Sequence, residues 1–518
     1  MATTARSRLR PPDPAIALNR RPYGRNPQGH LFVLENSISP CFHGSQGYRM
    51  SHFSKFEGVP LNEFQRRKWK LALSVLIAGM VAALLWHGYQ GRGLHRGYPY
   101  NTFLFLPSGR FSDLMAVAAS ARLPDPYSDP GSVYFPFTYL VFQPLAHLRP
   151  DRAAYLCCGA GIFLLLILMT AVFRPWMRRA GEPSFTGTLR AFALAVLFLA
   201  VLYPLWFCLD RANIEIVLAP LVAASLYFLI RRRWPESAAC LIPAICFKLY
   251  PIVLLPLYLR PGKLRWIGIT LAAVLLLSWG SLAGFQGPCL TTGKELQANL
   301  AAFKSNAILN DLGFNGSATP WNAYKAFLGS LPLRPSAPAP WTWKHPHHLR
   351  LHLRIYSLVT LAVAATLAFH VCFVETELLR RAVLLLLLMV MASPIGGDYK
   401  LLHLATALVI WLAVATRRRH DLSATLLLAF ALIPKKEILL PFLGPTDSNL
   451  DDVSIGIILT PLALLLTVVL LVWDGYVGQS RKWTRQRLRN LLPFLTPRSN
   501  ARTASATSSS PSIPPATD

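Results

Sequence analysis

Apolar residues in this chain come in runs too long for the helices of a soluble fold. They recur from Leu71 to Val472 with only short polar intervals, and a run of about 20 apolar residues is what the hydrocarbon core of a bilayer asks of a helix. The pattern predicts spans at Lys70–Trp86, Ala153–Phe173, Leu189–Cys208, Asn213–Ile230, Leu264–Gly284, Leu351–Val374, Leu378–Ala392, Leu401–Thr416, Leu422–Ile433 and Val453–Trp473. Two apolar stretches break the rule. Tyr134–Leu148 is short and punctuated by proline, and Ala238–Leu259 is interrupted by Pro243, Lys248, Pro251 and Pro256. A stretch of that second kind is expected to be two half-helices meeting near Lys248.

The flanks lack this periodicity. Residues 1–69 are basic and patternless, read as a disordered cytoplasmic segment. They are too polar for a signal peptide, and "GYRM" makes Met50 a candidate translation start. From Gly478 the tail is basic, then rich in Ser, Thr and Pro, and reads as flexible. The expected organisation is thus 1–69, a transmembrane domain 70–473, and a cytoplasmic tail 474–518.

Composition agrees with a membrane protein and changes one inference. Of 518 residues 53% are hydrophobic and only 15% charged, and the net charge is +28; mean hydropathy is +0.38. In a soluble protein such a charge would suggest nucleic acid. Here it lies beside apolar segments, at Arg174/Arg178/Arg179, Arg231–Arg233, Arg260/Lys263/Arg265, Arg380/Arg381, Arg417–Arg419 and both tails. That placement marks orientation and contact with anionic lipid, with no nucleic-acid partner implied. All these clusters share the cytoplasmic side if Tyr134–Leu148 does not cross and Ala238–Leu259 returns to its own side. About ten full spans then remain, with both termini inside. The outer face receives Asp113, Asp125, Asp129, Asp151, Asp210, Asp311, Asp398, Asp451 and Asp452, and two long loops, Gly88–Val133 and Phe285–Arg350. Long structured loops on one face mark it as the functional one. The eight cysteines form no CxxC pair, so neither a disulfide framework nor a zinc site is implied.

Several outer-side motifs could carry chemistry. In "GRFSDLMAVAASARLPDPY", Asp113 opens a predicted helix Asp113–Ala121 ended by Pro124. A carboxylate there can take a proton from a hydroxyl, or simply favour the helix dipole. "LDRANIEIVLAP" sets Asp210, Arg211, Asn213 and Glu215 at a span's end. Glu215 lies a turn inside the apolar region and needs a partner, for which Arg211 and Lys248 are candidates. In "AICFKLYPIVLLPLYLRP", Lys248 either faces an anionic ligand or forms a structural pair with Glu215 or Asp398. "SPIGGDYKLLHLATAL" breaks its helix before Asp398, Tyr399 and Lys400, and broken helices at membrane depth face protein or a watery cavity. "GFNGSATPWNAYKAF" contains Asn315 in a formal glycosylation acceptor together with Trp321, and "KHPHHLRLH" offers His345, His347, His348 and His352, with no carboxylate nearby to favour a metal.

Taken in order, these pieces resemble the polyprenyl-phosphate-mannose-dependent mannosyltransferases of glycosyltransferase family 87. The resemblance runs from about Phe111 to Val472. It rests on Asp113 with "DPY" (Asp125–Tyr127) and "YFPFTYLVFQPL", on "DRANIE" before "RRRW", on "CFKLYPIVLLPLYL", and on "SPIGGDYKLL". The chain departs from the pattern at Asp210-Arg211-Ala212-Asn213, where many members have Gly-Gln-x-Asn, and at "GGDYK", where a Trp or His is often found. The resemblance implies an all-α polytopic fold of the GT-C class with about 10–13 transmembrane helices, some broken or short, and two long outer loops. It implies inverting transfer of a sugar from a polyprenyl-phosphate donor to a lipid or glycan acceptor at the outer face of a bacterial plasma membrane. Asp113 would be the general base. Asp125, Tyr127, Asp210, Arg211, Asn213, Glu215, Lys248, Asp398, Tyr399 and Lys400 would bind substrate, with Lys248, Arg211 and Lys400 as cations for the phosphate. No metal or further cofactor is implied. A lipid-linked glycan ligase or polymerase and a flippase or transporter are the competing expectations.

Overall fold

The computed structural model describes residues 62–104, 107–177, 183–259, 263–304, 308, 318–330, 346–435, 439–440 and 453–495. Met50, Asn315, His345, Asp311, Asp451, Asp452 and the Ser/Thr/Pro-rich end lie outside them.

The chain is an all-α polytopic membrane protein. Helix α1 (Glu63–Gly88) starts at a reciprocal cap: the Asn62 side chain accepts from the Gln65 N–H at 2.8 Å, and the Gln65 side chain accepts from the Asn62 N–H at 3.1 Å. The first long loop, expected on the outer side, contributes α2 (Ser112–Ala121). Next comes α3 (Pro136–Ala146), which at 11 residues spans about 16 Å and cannot cross a bilayer. Helix α4 (Pro150–Met177) is long and apolar. The predicted span Leu189–Cys208 is two helices, α5 (Ser184–Ala200) and α6 (Tyr203–Arg211), bent by 70°. Leu202 is extended and Pro204, in the first turn of α6, has no N–H to continue the ladder from α5.

Helices α7 (Glu215–Ile230) and α8 (Trp234–Phe247) pack on each other, and α7 also packs on α4. Gly161 permits that last approach, since a side chain there would collide with Ile216. After α8, Lys248 is extended and Tyr250–Tyr258 forms a tight 3₁₀ segment, so the expected break falls at Lys248. Then follow α9 (Leu264–Leu282), and in the second outer loop α10 (Cys289–Phe303) and α11 (Pro320–Ser330). Helices α12 (Pro346–Phe369), α13 (Leu378–Met391), α14 (Leu402–Ala413), α15 (Asp421–Ala431) and α16 (Gly456–Leu495) complete the bundle. Two departures concern α16. Val453 and Ser454 pair with Leu440 and Leu439 as a short antiparallel ladder instead of opening the span. The helix also runs on to Leu495, through a segment read as flexible from its charge but without a proline before Pro493.

Among the described residues, the segments Glu63–Gly93, Pro150–Met177, Leu264–Leu282, Leu349–Val374 and Gly456–Val477 are long and apolar enough to cross a membrane, and the bent pair α5–α6 would add one more. The other predicted spans are shorter helices. Two of these, α13 and α14, form the centre: Leu402 to Leu412 are all buried. Such helices are apolar all round because neighbouring protein, not lipid, covers them.

The end of the bundle away from the outer loops is fastened by charge. Lys68 of α1 donates to the carbonyls at the end of α14, Trp411 at 2.9 Å and Val414 at 2.7 Å, where the helix runs out of its own donors. Arg380 is buried and doubly bonded to Asp421 at 3.0 Å, with Glu377 at 3.1 Å. Arg418 forks onto Glu375 at 2.7 and 2.8 Å. Arg380 and Arg418 were expected among loop cations facing lipid; they are internal ties instead.

Arg380→Ala leaves Asp421 buried without its cation and is expected to cost about 3–5 kcal/mol of stability, measured as a lower melting temperature. Lys70→Ala, on the exposed side of α1, serves as the unchanged control. Glu375, just past the α12 span, is held below the ordinary carboxylate range: burial opposes its charge, and the hydrogen bonds and charge of Arg418 outweigh burial. A depressed carboxylate stabilises the fold above its unfolded value and loses that contribution as pH falls. Melting temperature should therefore drop on acidification below about pH 4.3, less steeply in Arg418→Met.

Candidate functional site

Chain breaks on the outer-loop side gather polar groups into one place. Phe111 sits in the left-handed region (φ 59°) and its N–H donates to the Asp210 carbonyl at 2.8 Å, which sets Asp113 in the first turn of α2. Ala212, also left-handed (φ 46°), makes the corner between α6 and α7 and lets Arg211 and Asn213 serve one target. Lys248 marks the corner after α8. Ser393 to Gly397 separates α13 from the 3₁₀ turn Asp398–Leu401 that leads into α14. Interrupted helices at this depth are tolerated where freed backbone groups meet protein or water.

Two charge clusters occupy the space between these corners. In the first, Arg211 Nε donates to Asp113 Oδ2 at 3.0 Å and its Nη2 donates to Oδ1, a two-pronged clamp, while Asn213 Nδ2 donates to Oδ2 at 2.5 Å. In the second, the buried Glu215 carboxylate receives Lys248 Nζ on Oε1 at 2.7 Å. Its Oε2 receives the Tyr250 hydroxyl at 2.5 Å and lies 2.8 Å from His403 Nε2. Asn213 joins the two, because its Oδ1 accepts from the Glu215 N–H at 3.1 Å. Lys248 Nζ also lies over the rings of Tyr134 (5.4 Å) and Tyr399 (5.5 Å). Both tyrosines are within electrostatic reach of Asp113 and Lys248 together, so the two clusters belong to one site.

The anticipated residues fall into different places. Asp113, Arg211, Asn213, Glu215, Lys248 and Tyr399 converge as described. Lys248 takes the partner that the sequence left open, and its amine is therefore not an unpaired charge. Asp398 accepts from the Tyr203 hydroxyl at 2.7 Å and lies in the field of Lys435. Lys400 is buried, with Nζ 4.3 Å from the centre of the Tyr250 ring. Asp210 lines a cleft of about 820 Å³ shared with Phe111, Tyr155, Trp206, Asn101 and Arg110. Asp125 and Tyr127 tie the two long loops together. Asp125 accepts from Thr292 of α10 at 2.8 Å, and the buried Tyr127 donates to the Tyr134 carbonyl at 2.7 Å. Burial pushes the Tyr127 phenol well up, with Tyr139 and Asp125 adding to it. Trp321 donates to the Ile308 carbonyl at 2.9 Å, and His352 is bonded to the Tyr324 hydroxyl at 2.6 Å. Among the described residues no three His, Cys, Asp or Glu side chains cluster as a metal site.

Tyr134, Tyr250 and His403 escaped the sequence reading. Each had a signal. Tyr250 follows Lys248 by two positions, and His403 is an ionisable residue inside an apolar run, the same property that singled out Lys248.

The family model of glycosyltransferase family 87 matches residues 133–394, just over half of the chain. It takes in Tyr134, Arg211, Asn213, Glu215, Lys248 and Tyr250; Asp113, Lys400 and His403 lie outside it. No curated protein and no solved structure matches the chain.

Lys248→Met takes the ammonium away from the buried Glu215 carboxylate and should destabilise the fold by about 3–5 kcal/mol. Lys248→Met combined with Glu215→Leu should recover part of that loss, as read by thermal unfolding of the two purified variants.

Proposed function

The chain belongs to glycosyltransferase family 87 and is a membrane glycosyltransferase, and from that membership we propose that it moves a sugar, mannose, from a polyprenyl phosphate to an acceptor hydroxyl with inversion. The observation that carries the proposal is the clamp on Asp113. An ionised carboxylate offers about four lone-pair positions. Arg211 and Asn213 occupy three of them, two on Oδ2 and one on Oδ1. One position on Oδ1 stays open, on a group whose orientation two neighbours fix. That is what a general base requires: a proton acceptor held still.

The reaction then follows from balance. The acceptor oxygen attacks the anomeric carbon from the face opposite the phosphate, and its proton passes to Asp113. The bond from the anomeric carbon to the phosphate oxygen breaks, and the polyprenyl phosphate leaves with the electron pair, so the configuration inverts in one step. Negative charge grows on the departing phosphate, and fixed cations at the site stabilise it. The cleft of about 820 Å³ suits the acceptor. Its wall is the Phe111–Asp210 backbone contact, each partner within two residues of the clamp. Its lining combines aromatic faces, Tyr155 and Trp206, with polar groups, Asn101 and Arg110, which suits a sugar or a lipid headgroup. We place the site at the outer leaflet of a bacterial plasma membrane, with both termini cytoplasmic.

The test uses purified protein in lipid with radiolabelled polyprenyl-phosphate mannose and a membrane lipid extract. Asp113→Asn should retain folding and donor binding but lose transfer by about a hundred- to ten-thousand-fold. Transfer at the original rate would remove Asp113 from its role.

A further inference from the structure

We propose that Lys400, not Lys248, is the cation that receives the phosphate of the donor; the assignment rests on the transferase function proposed above. The charge of Lys248 is already matched, by Glu215 at 2.7 Å, and its amine is enclosed between Tyr134 and Tyr399. To meet a phosphate it would have to abandon a carboxylate that is 1% exposed, leaving that charge buried and uncompensated.

Lys400 differs in each respect. The residue is 4% exposed, yet its ammonium has no hydrogen bond or ion pair among the described residues. Its one close partner is the face of Tyr250, which offers a cation some attraction but no acceptor. The Glu215 charge reaches Lys400 but does not touch it, and a buried ammonium with no anion in contact is disfavoured, so the position makes sense when an anion joins it.

The surroundings suit a phosphate. Lys400 lies in the turn Asp398–Leu401 that runs into α14, its own N–H bonded to the Gly397 carbonyl at 2.8 Å. Gly396 flanks it: a methyl group there would come within 2.9 Å of Lys400 Cδ and 3.5 Å of Thr319 Cγ2. The bare backbone thus leaves the lysine stem its course. The ring beneath Lys400 belongs to the same Tyr250 whose hydroxyl donates to Glu215. A phosphate on Lys400 therefore sits beside the Glu215 cluster, which Asn213 joins to Asp113.

Farnesyl phosphate, inorganic phosphate and uncharged farnesol are suitable probes on the full chain in phosphatidylcholine nanodiscs, with melting temperature and direct binding as readouts. Farnesyl phosphate should bind and stabilise the wild-type chain, and farnesol should not. Lys400→Met should be at least as stable as wild type without ligand and bind farnesyl phosphate at least tenfold more weakly; Lys400→Arg should restore binding. Stabilisation by inorganic phosphate, lost in Lys400→Met, would show that the phosphate alone suffices. A response to farnesyl phosphate only, also lost, would show that the chain must anchor it. Undiminished binding in Lys400→Met, or an unliganded Lys400→Met that melts as low as Lys248→Met, would overturn the assignment. A chain that binds farnesyl phosphate through Lys400 but transfers no sugar would sink the transferase proposal and leave this site standing.

Discussion

Glu215 is fully buried at the first turn of α7, and three donors from elsewhere in the chain meet its two oxygens. An isolated carboxylate could not stay ionised there. Its charge obliges Lys248 at the end of α8, Tyr250 in the 3₁₀ segment and His403 in α14 to arrive together. None of these elements is long enough to be held in place by the bilayer alone. Helix α14 is fixed twice, by His403 near its start and by Lys68 on its last carbonyls. Its twelve residues are thereby tied to α7 at one end and α1 at the other.

The same corners that weaken the helices create the site. A continuous helix satisfies its own backbone and points its side chains outward; it cannot turn Arg211 and Asn213 toward one carboxylate. The left-handed residue Ala212 between them does that, at a cost of about 1–2 kcal/mol for a residue with a Cβ. The Arg211 guanidinium is the clamp. Two hydrogen bonds in a fixed fork hold Asp113 more firmly than a single amide donor would.

The membrane class and the break at Lys248 were legible in the sequence, because each depends on local apolarity; that Lys248 pairs with Glu215 stood only as one of two alternatives, since charge says that a partner is needed and not which one. The bend before α6 was hidden inside an unbroken apolar run, with only Pro204 to mark it. Tyr250 and His403 act through contacts between distant elements, and periodicity does not say which faces of buried helices meet. Asp125 and Tyr127 were grouped with the substrate because they stand in a family motif. Their hydrogen bonds to Thr292 and to the Tyr134 carbonyl show that the motif also ties the loop down. Arg380 illustrates a misreading: an arginine beside a span looks like a lipid contact until an aspartate 41 residues on is found across from it.

The shortness of α14 has a geometric result. Twelve residues cover about 18 Å of a hydrocarbon layer about 30 Å deep, so α14 cannot reach both of its boundaries. At least one end of α14 is therefore recessed from bulk water, and the polar groups beside it must find their partners within the protein.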